Sequence, residues 1–114
     1  HYYLGLLYEK QEDYQNALYY LKEATTYNPN FADAYISLGD INLKLGKNYQ
    51  AIANYSTAIE QNPEYPPGHF HLALAYIESD MKEAAIKELR KTIHLSNGHE
   101  RAQELLDELT GESN

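Results

Sequence analysis

Shifted by 34 residues, the chain aligns with itself without a gap, and this repetition constrains the fold more than any other feature. The shift brings Leu4 onto Leu38 and Leu72, and Gly5 onto Gly39 and Ala73. It brings Ala17 onto Ala51 and Ala85, Leu21 onto Tyr55 and Leu89, and Ala24 onto Ala58 and Thr92. Pro29 meets Pro63, and Asn97 stands there in the third copy. A unit this short cannot bury its apolar face alone, so copies must stack and share one continuous core.

Within a copy the apolar spacing is helical. Leu4, Tyr8 and Gln11 share one face, and Leu18, Leu21 and Thr25 share another, at steps of three and four residues. The polar stretch Gln11-Glu12-Asp13 separates them, so each copy reads as two helices and a short turn. The predicted segments are 1–11 and 14–27, 32–45 and 48–61, and 66–79 and 82–95. Pro29 and Pro63 stop the second helices, because proline cannot continue one. Pro66-Pro67 opens the next helix, where a missing amide hydrogen costs little. Glycine inside a helix costs about 1 kcal/mol against alanine, so Gly5 and Gly39 need a reason. Close approach of the paired helices, with Ala17, Ala51 and Ala85 on the other side, supplies one.

These residues resemble the tetratricopeptide repeat: His1-x2-Leu4-Gly5-x2-Tyr8 with Ala17-x3-Leu21, Ala24 and Pro29, then Tyr35-x2-Leu38-Gly39 with Ala51-x3-Tyr55, Ala58 and Pro63. The third copy, His69-x2-Leu72-Ala73-x2-Tyr76 with Ala85-x3-Leu89, departs from the pattern at Thr92 and Asn97. Asn42 stands where an aromatic is usual, and His1 and His69 stand where Trp or Tyr is commoner. The resemblance implies an all-α, right-handed superhelix of three helix pairs, with repeats at 1–31, 32–65 and 66–99. Residues 100–114 then form a solvating helix and tail: Ala102, Leu105, Leu106 and Leu109 make one apolar stripe, and Gly111 ends it. The first copy begins about three residues into the motif, which predicts either an array that continued upstream or a domain excised from a larger protein.

Composition narrows the function. With 17 acidic against 9 basic residues among 114, the net charge of −8 disfavours nucleic acid and anionic membranes as partners. There is no cysteine, which removes thiolate metal sites and cysteine catalysis. No phosphate-binding glycine loop, nucleophile elbow or HExxH pair occurs, so the expectation is a protein that is not an enzyme and needs no cofactor. His69 and His71 are two apart and point to different sides of a helix, and His94 and His99 straddle a turn, so no metal site is expected. Asn54-Tyr55-Ser56 matches a glycosylation sequon but lies mid-helix. No basic-then-apolar segment opens the chain, which points to the cytoplasm, and a cysteine-free chain also suits a periplasmic setting.

The 12 tyrosines divide. Tyr8, Tyr35, Tyr55 and Tyr76 occupy packing positions of the repeat, with His1 and His69 in register with Tyr35. Tyr3, Tyr14, Tyr19, Tyr20, Tyr27 and Tyr49 have no place in it.

The resemblance also implies a concave surface lined by the first helix of each copy. By register it is expected to carry Tyr2, Leu6, Glu9 and Lys10, then Asp33, Ile36, Asp40, Leu43 and Lys44, then Pro67, Phe70, Leu74, Ile77 and Glu78. An apolar groove with an acidic rim suits a peptide or helical segment of another protein that carries some basic residues. Some members of the family clamp the acidic tail of heat-shock chaperones with Lys, Asn, Asn, Lys and Arg. The matching positions are Tyr2, Leu6, Ser37, Pro67 and His71, so that partner is disfavoured. The rival expectation is self-assembly into a homo-oligomer, through the uncapped first helix pair or the groove.

Overall fold

The computed structural model describes residues 1–111, so the end of the 100–114 segment lies outside the described residues. Among the described residues seven helices follow one another: α1 Tyr2–Lys10, α2 Tyr14–Tyr27, α3 Ala32–Lys44, α4 Asn48–Gln61, α5 Pro66–Glu78, α6 Lys82–Ser96 and α7 Glu100–Thr110. Among the described residues there is no strand. α1 packs on α2, α3 on α4 and α5 on α6, and successive pairs meet through α2–α3, α4–α5 and α6–α7. The stack is 43 Å long and 25 by 20 Å across.

The first helices end one residue before the predicted boundary, and backbone geometry gives the reason. Glu12, Gly46 and Asp80 adopt φ of 61°, 77° and 57°, all in the left-handed region. The following amides, of Asp13, Lys47 and Met81, donate back to the carbonyls of Tyr8, Asn42 and Tyr76. This paired closure satisfies carbonyls that the last helical turn leaves open. Positions 12, 46 and 80 are equivalent under the 34-residue shift, so one turn is built three times from Glu, Gly and Asp.

Three apolar clusters bind the stack, and each spans a junction. Ala17 and Leu21 of α2 meet Leu38 and Ile41 of α3. Ala51, Tyr55 and Ala58 of α4 meet Leu72 and Ala75 of α5. Ala73 and Leu89 of α5 and α6 meet Ala102, Leu105 and Leu106 of α7. Full burial of each large apolar side chain stabilises the stack by about 1.5–3 kcal/mol.

The helix glycines mark the tightest contacts inside a pair. A Cβ on Gly39 would come within 2.5 Å of the Tyr55 ring, and one on Gly5 within 2.7 Å of Leu21 Cγ. The space a methyl would fill is therefore occupied by the large residue of the second helix, while Ala17, Ala51 and Ala85 are fully buried.

A second column explains two oddities of the sequence. Tyr8 stacks on Tyr20 at 5.5 Å between α1 and α2. At the equivalent place in the next pair, Asn42 donates its amide to Asn54 Oδ1 at 2.7 Å. The missing aromatic at Asn42 is thus matched by a change in its partner, and the sequon asparagine is engaged within the fold. In the third pair Tyr76 sits near Glu88, and its hydroxyl pKa is raised, first by burial and then by that carboxylate.

His69 is a packing residue, as its register implies: it is 3% exposed, with Nδ1 2.7 Å from Glu88 Oε1 and Nε2 2.7 Å from the Pro63 carbonyl. His1 is exposed, with its ring stacked on Tyr27 at 5.1 Å. Tyr3 and Tyr49 are 82% and 80% exposed, and nothing in the structure explains them.

Candidate functional site

A concavity of about 570 Å³ opens between α3, α5 and α7, with Glu9 of α1 at one side. Its apolar wall is Leu43, Leu74, Ile77 and Leu105, and its polar lining is Glu9, Asp40, Lys44, Tyr55, His71, Glu78 and Arg101. The periodicity brings these together. Positions 40 and 74, 43 and 77, and 44 and 78 are pairs under the 34-residue shift, so successive first helices present them side by side.

Of the residues expected by register, the concavity gathers Glu9, Asp40, Leu43, Lys44, Leu74, Ile77 and Glu78. It does not gather Tyr2, Leu6, Lys10, Asp33, Ile36, Pro67 or Phe70. Three of these share one environment. Tyr2, Ile36 and Phe70 form one column, and each packs with the residue that precedes the next first helix: Phe31, Tyr65 and His99. The Tyr2 and Phe31 rings lie 4.5 Å apart, and the Phe70 and His99 rings 4.8 Å apart. Ile36 is 7% exposed in the cluster against which Tyr65 packs. Ile36 is thus core, and Tyr2 and Phe70 are half-buried against the flanking clusters. Asp33 is exposed, and the Tyr65 hydroxyl donates to it, which raises the Tyr65 pKa. Leu6 is half-buried outside the concavity.

Four lining residues escaped the sequence reading: Tyr55, His71, Arg101 and Leu105. Tyr55 comes from a second helix, where its position reads as pure packing. Leu105 and Arg101 become legible once the shift is continued past residue 99, because they are equivalent to His71 and Pro67. The packing of α7 on α6 as though it were a further first helix gives that continuation its physical basis.

Asp40 organises the polar side. Its Oδ1 accepts from the Tyr55 hydroxyl at 2.5 Å and from His71 Nδ1 at 2.9 Å. Tyr55 is fully buried, and its pKa is raised far above the ordinary tyrosine value, by burial first and then by the Asp40 charge. The carboxyl pKa of Glu9 is also raised, by burial first and then by Asp40, with Lys44 opposing. Lys44 Nζ lies 3.9 Å from Glu9 Oε2. Arg101 is turned to Glu104 of its own helix at 3.5 Å. The lining is therefore of mixed charge, with Glu9 and Asp40 beside Lys44 and Arg101, where the sequence alone gives an acidic rim. Among the described residues no three His, Asp or Glu side chains converge as a metal-ligand set. Nor, among them, is any helix long and apolar enough to cross a membrane.

Comparison with known proteins bears on the fold. Residues 39–79 match the family described as TPR repeat, and residues 1–31 match the family described as tetratricopeptide repeat. No curated protein matches the chain in sequence. Among solved structures, the first TPR of Spaghetti (RPAP3), bound to the HSP90 peptide SRMEEVD, is similar with a TM-score of 0.89 at 19% identity. That likeness covers 94% of this chain and 85% of the other. MamA is similar with a TM-score of 0.89 at 27% identity, over 95% of this chain and 63% of its own. The Arabidopsis OM64 TPR domain gives a TM-score of 0.87 at 18% identity, over 95% of this chain and 89% of its own. From its repeated junctions, its family matches and these likenesses, the protein is a TPR-like repeat protein, folded as an all-α helical solenoid.

Proposed function

We propose that this protein is a non-catalytic interaction scaffold whose concavity receives a peptide or helical segment of another protein. The observation that carries the reading is the wall of Leu43, Leu74 and Ile77, which line an open concavity of about 570 Å³. A volume of this size, mostly apolar with a few convergent polar groups, is typical of a recognition site. The Spaghetti domain, similar in shape, carries an HSP90 peptide. An acidic tail of that kind suits this chain poorly, because Glu9 and Asp40 face the concavity and the clamp positions are Tyr2, Leu6, Ser37, Pro67 and His71. We take the repeats as 1–31, 32–65 and 66–99, with 100–114 closing the array.

Selection of random displayed peptides on the intact protein tests this. The recovered peptides should bind wild type, lose binding to Leu74→Glu, and bind Tyr49→Glu unchanged. Peptides indifferent to Leu74→Glu would place the binding surface elsewhere.

Self-assembly is the second reading, and one observation favours it. Leu4 and Leu7 of α1 are 43% and 50% exposed, whereas their equivalents Leu38 and Ile41 are 4% and 0% exposed against the preceding pair. Sedimentation velocity over a concentration series separates the readings: association that Leu7→Lys abolishes supports assembly through α1, and a strict monomer removes it.

A further inference from the structure

Two carboxylates that line the concavity, Glu9 and Asp40, are out of keeping with their columns. Positions 6, 40 and 74 read Leu, Asp and Leu, and positions 9, 43 and 77 read Glu, Leu and Ile. Each column is thus aliphatic but for one acid, and the fold brings the two acids close enough for Asp40 to raise the Glu9 carboxyl pKa. Like charges set together on a partly desolvated wall oppose folding. The cations nearby relieve them only in part. Lys44 is 55% exposed, lies 3.9 Å from Glu9 and also sits 6.0 Å from the Tyr14 ring, while Arg101 is engaged with Glu104. Asp40 spends one oxygen on both of its donors: Oδ1 accepts from Tyr55 and from His71. Oδ2 accepts nothing from the described residues, and the residue lines the concavity.

Resting on the groove reading above, we propose that the concavity takes a basic side chain of the partner segment, a lysine or an arginine. Its aliphatic stem runs along Leu43, Leu74 and Ile77, and its cationic head sits between Asp40 Oδ2 and Glu9. The Tyr55 and His71 bonds hold the Asp40 carboxylate in place, so little ordering is left to be done on binding. A basic residue flanked by apolar ones matches the aliphatic wall and the two carboxylates together.

Sequences recovered by the peptide selection read this out directly. They should converge on a basic residue next to aliphatic ones, and replacing that residue by methionine should weaken binding to the intact protein roughly tenfold or more. In Glu9→Gln, whose fold does not depend on that charge, the same replacement should cost much less; Asp40→Asn, checked by its melting curve, provides a second arm. If the methionine peptide binds as well as its parent while Leu74→Glu still abolishes binding, the basic-residue proposal fails and the groove stands. If no recovered peptide depends on Leu74, both fail.

Discussion

A methyl group added at Gly39 would press on the Tyr55 ring, and this one contact joins the repeat signature to the functional face. Tyr55 is fully buried and cannot swing away, so Gly39→Ala should destabilise the protein by about 1–3 kcal/mol, read as a lower denaturation midpoint. Tyr55→Phe keeps the packing and removes the hydroxyl that Asp40 accepts. Its expected cost is about 1–2 kcal/mol, together with looser positioning of the carboxylate. Glu9 yields a pH-dependent prediction. Its folded pKa is raised, so its contribution to stability is fully present below the ordinary glutamate value and is lost as pH rises through the folded one. Glu9→Gln should therefore be more stable than wild type at neutral pH, and the difference should fade in acid; urea melts at several pH values check it. The glycine was legible in the sequence, because a helix glycine placed twice in register demands a close contact. The hydroxyl bridge was not, because helical period assigns Tyr55 to a face without saying which group of the next pair its tip will meet.

At the scale of elements, the helices were legible almost to the residue, since apolar period, proline stops and the 34-residue shift all agree on them. The turn within each pair was not, because Glu12, Gly46 and Asp80 share a backbone conformation and no side-chain property. In that conformation an ordinary side chain crowds its own backbone. Gly46→Ala should cost about 1 kcal/mol, and Asp80→Gly should be neutral or gain a few tenths, both read from thermal melts. The column of Tyr2, Ile36 and Phe70 lies outside the concavity for a related reason. Counting along one helix shows that these side chains leave the pair interface, but Phe31, Tyr65 and His99 belong to the following unit and cover them. His99 shows how much one such residue does: its ring stacks on Phe70, and its Nδ1 accepts from the Ala102 amide at the start of α7.

For the whole molecule, repetition makes every junction alike, and the copies differ on the inner wall. Three copies of one interface give the solenoid, and the substitutions Leu to Asp at position 40 and Leu to Glu at position 9 give one stretch of its inner wall a charge the others lack. The two ends differ as well. α7 covers the last pair with Ala102, Leu105 and Leu106, whereas Leu4 and Leu7 leave the first pair open. The inner wall and the face of α1 are thus two candidate contact surfaces, and the central claim is that the inner one meets the partner. Backbone amide shifts of the labelled protein, titrated with a selected peptide, test this most directly. The account predicts shifts concentrated at Asp40, Leu43, Leu74, Ile77 and Leu105, with the region around Tyr49 silent. Shifts confined to Leu4, Leu7 and the rest of the first pair would contradict it.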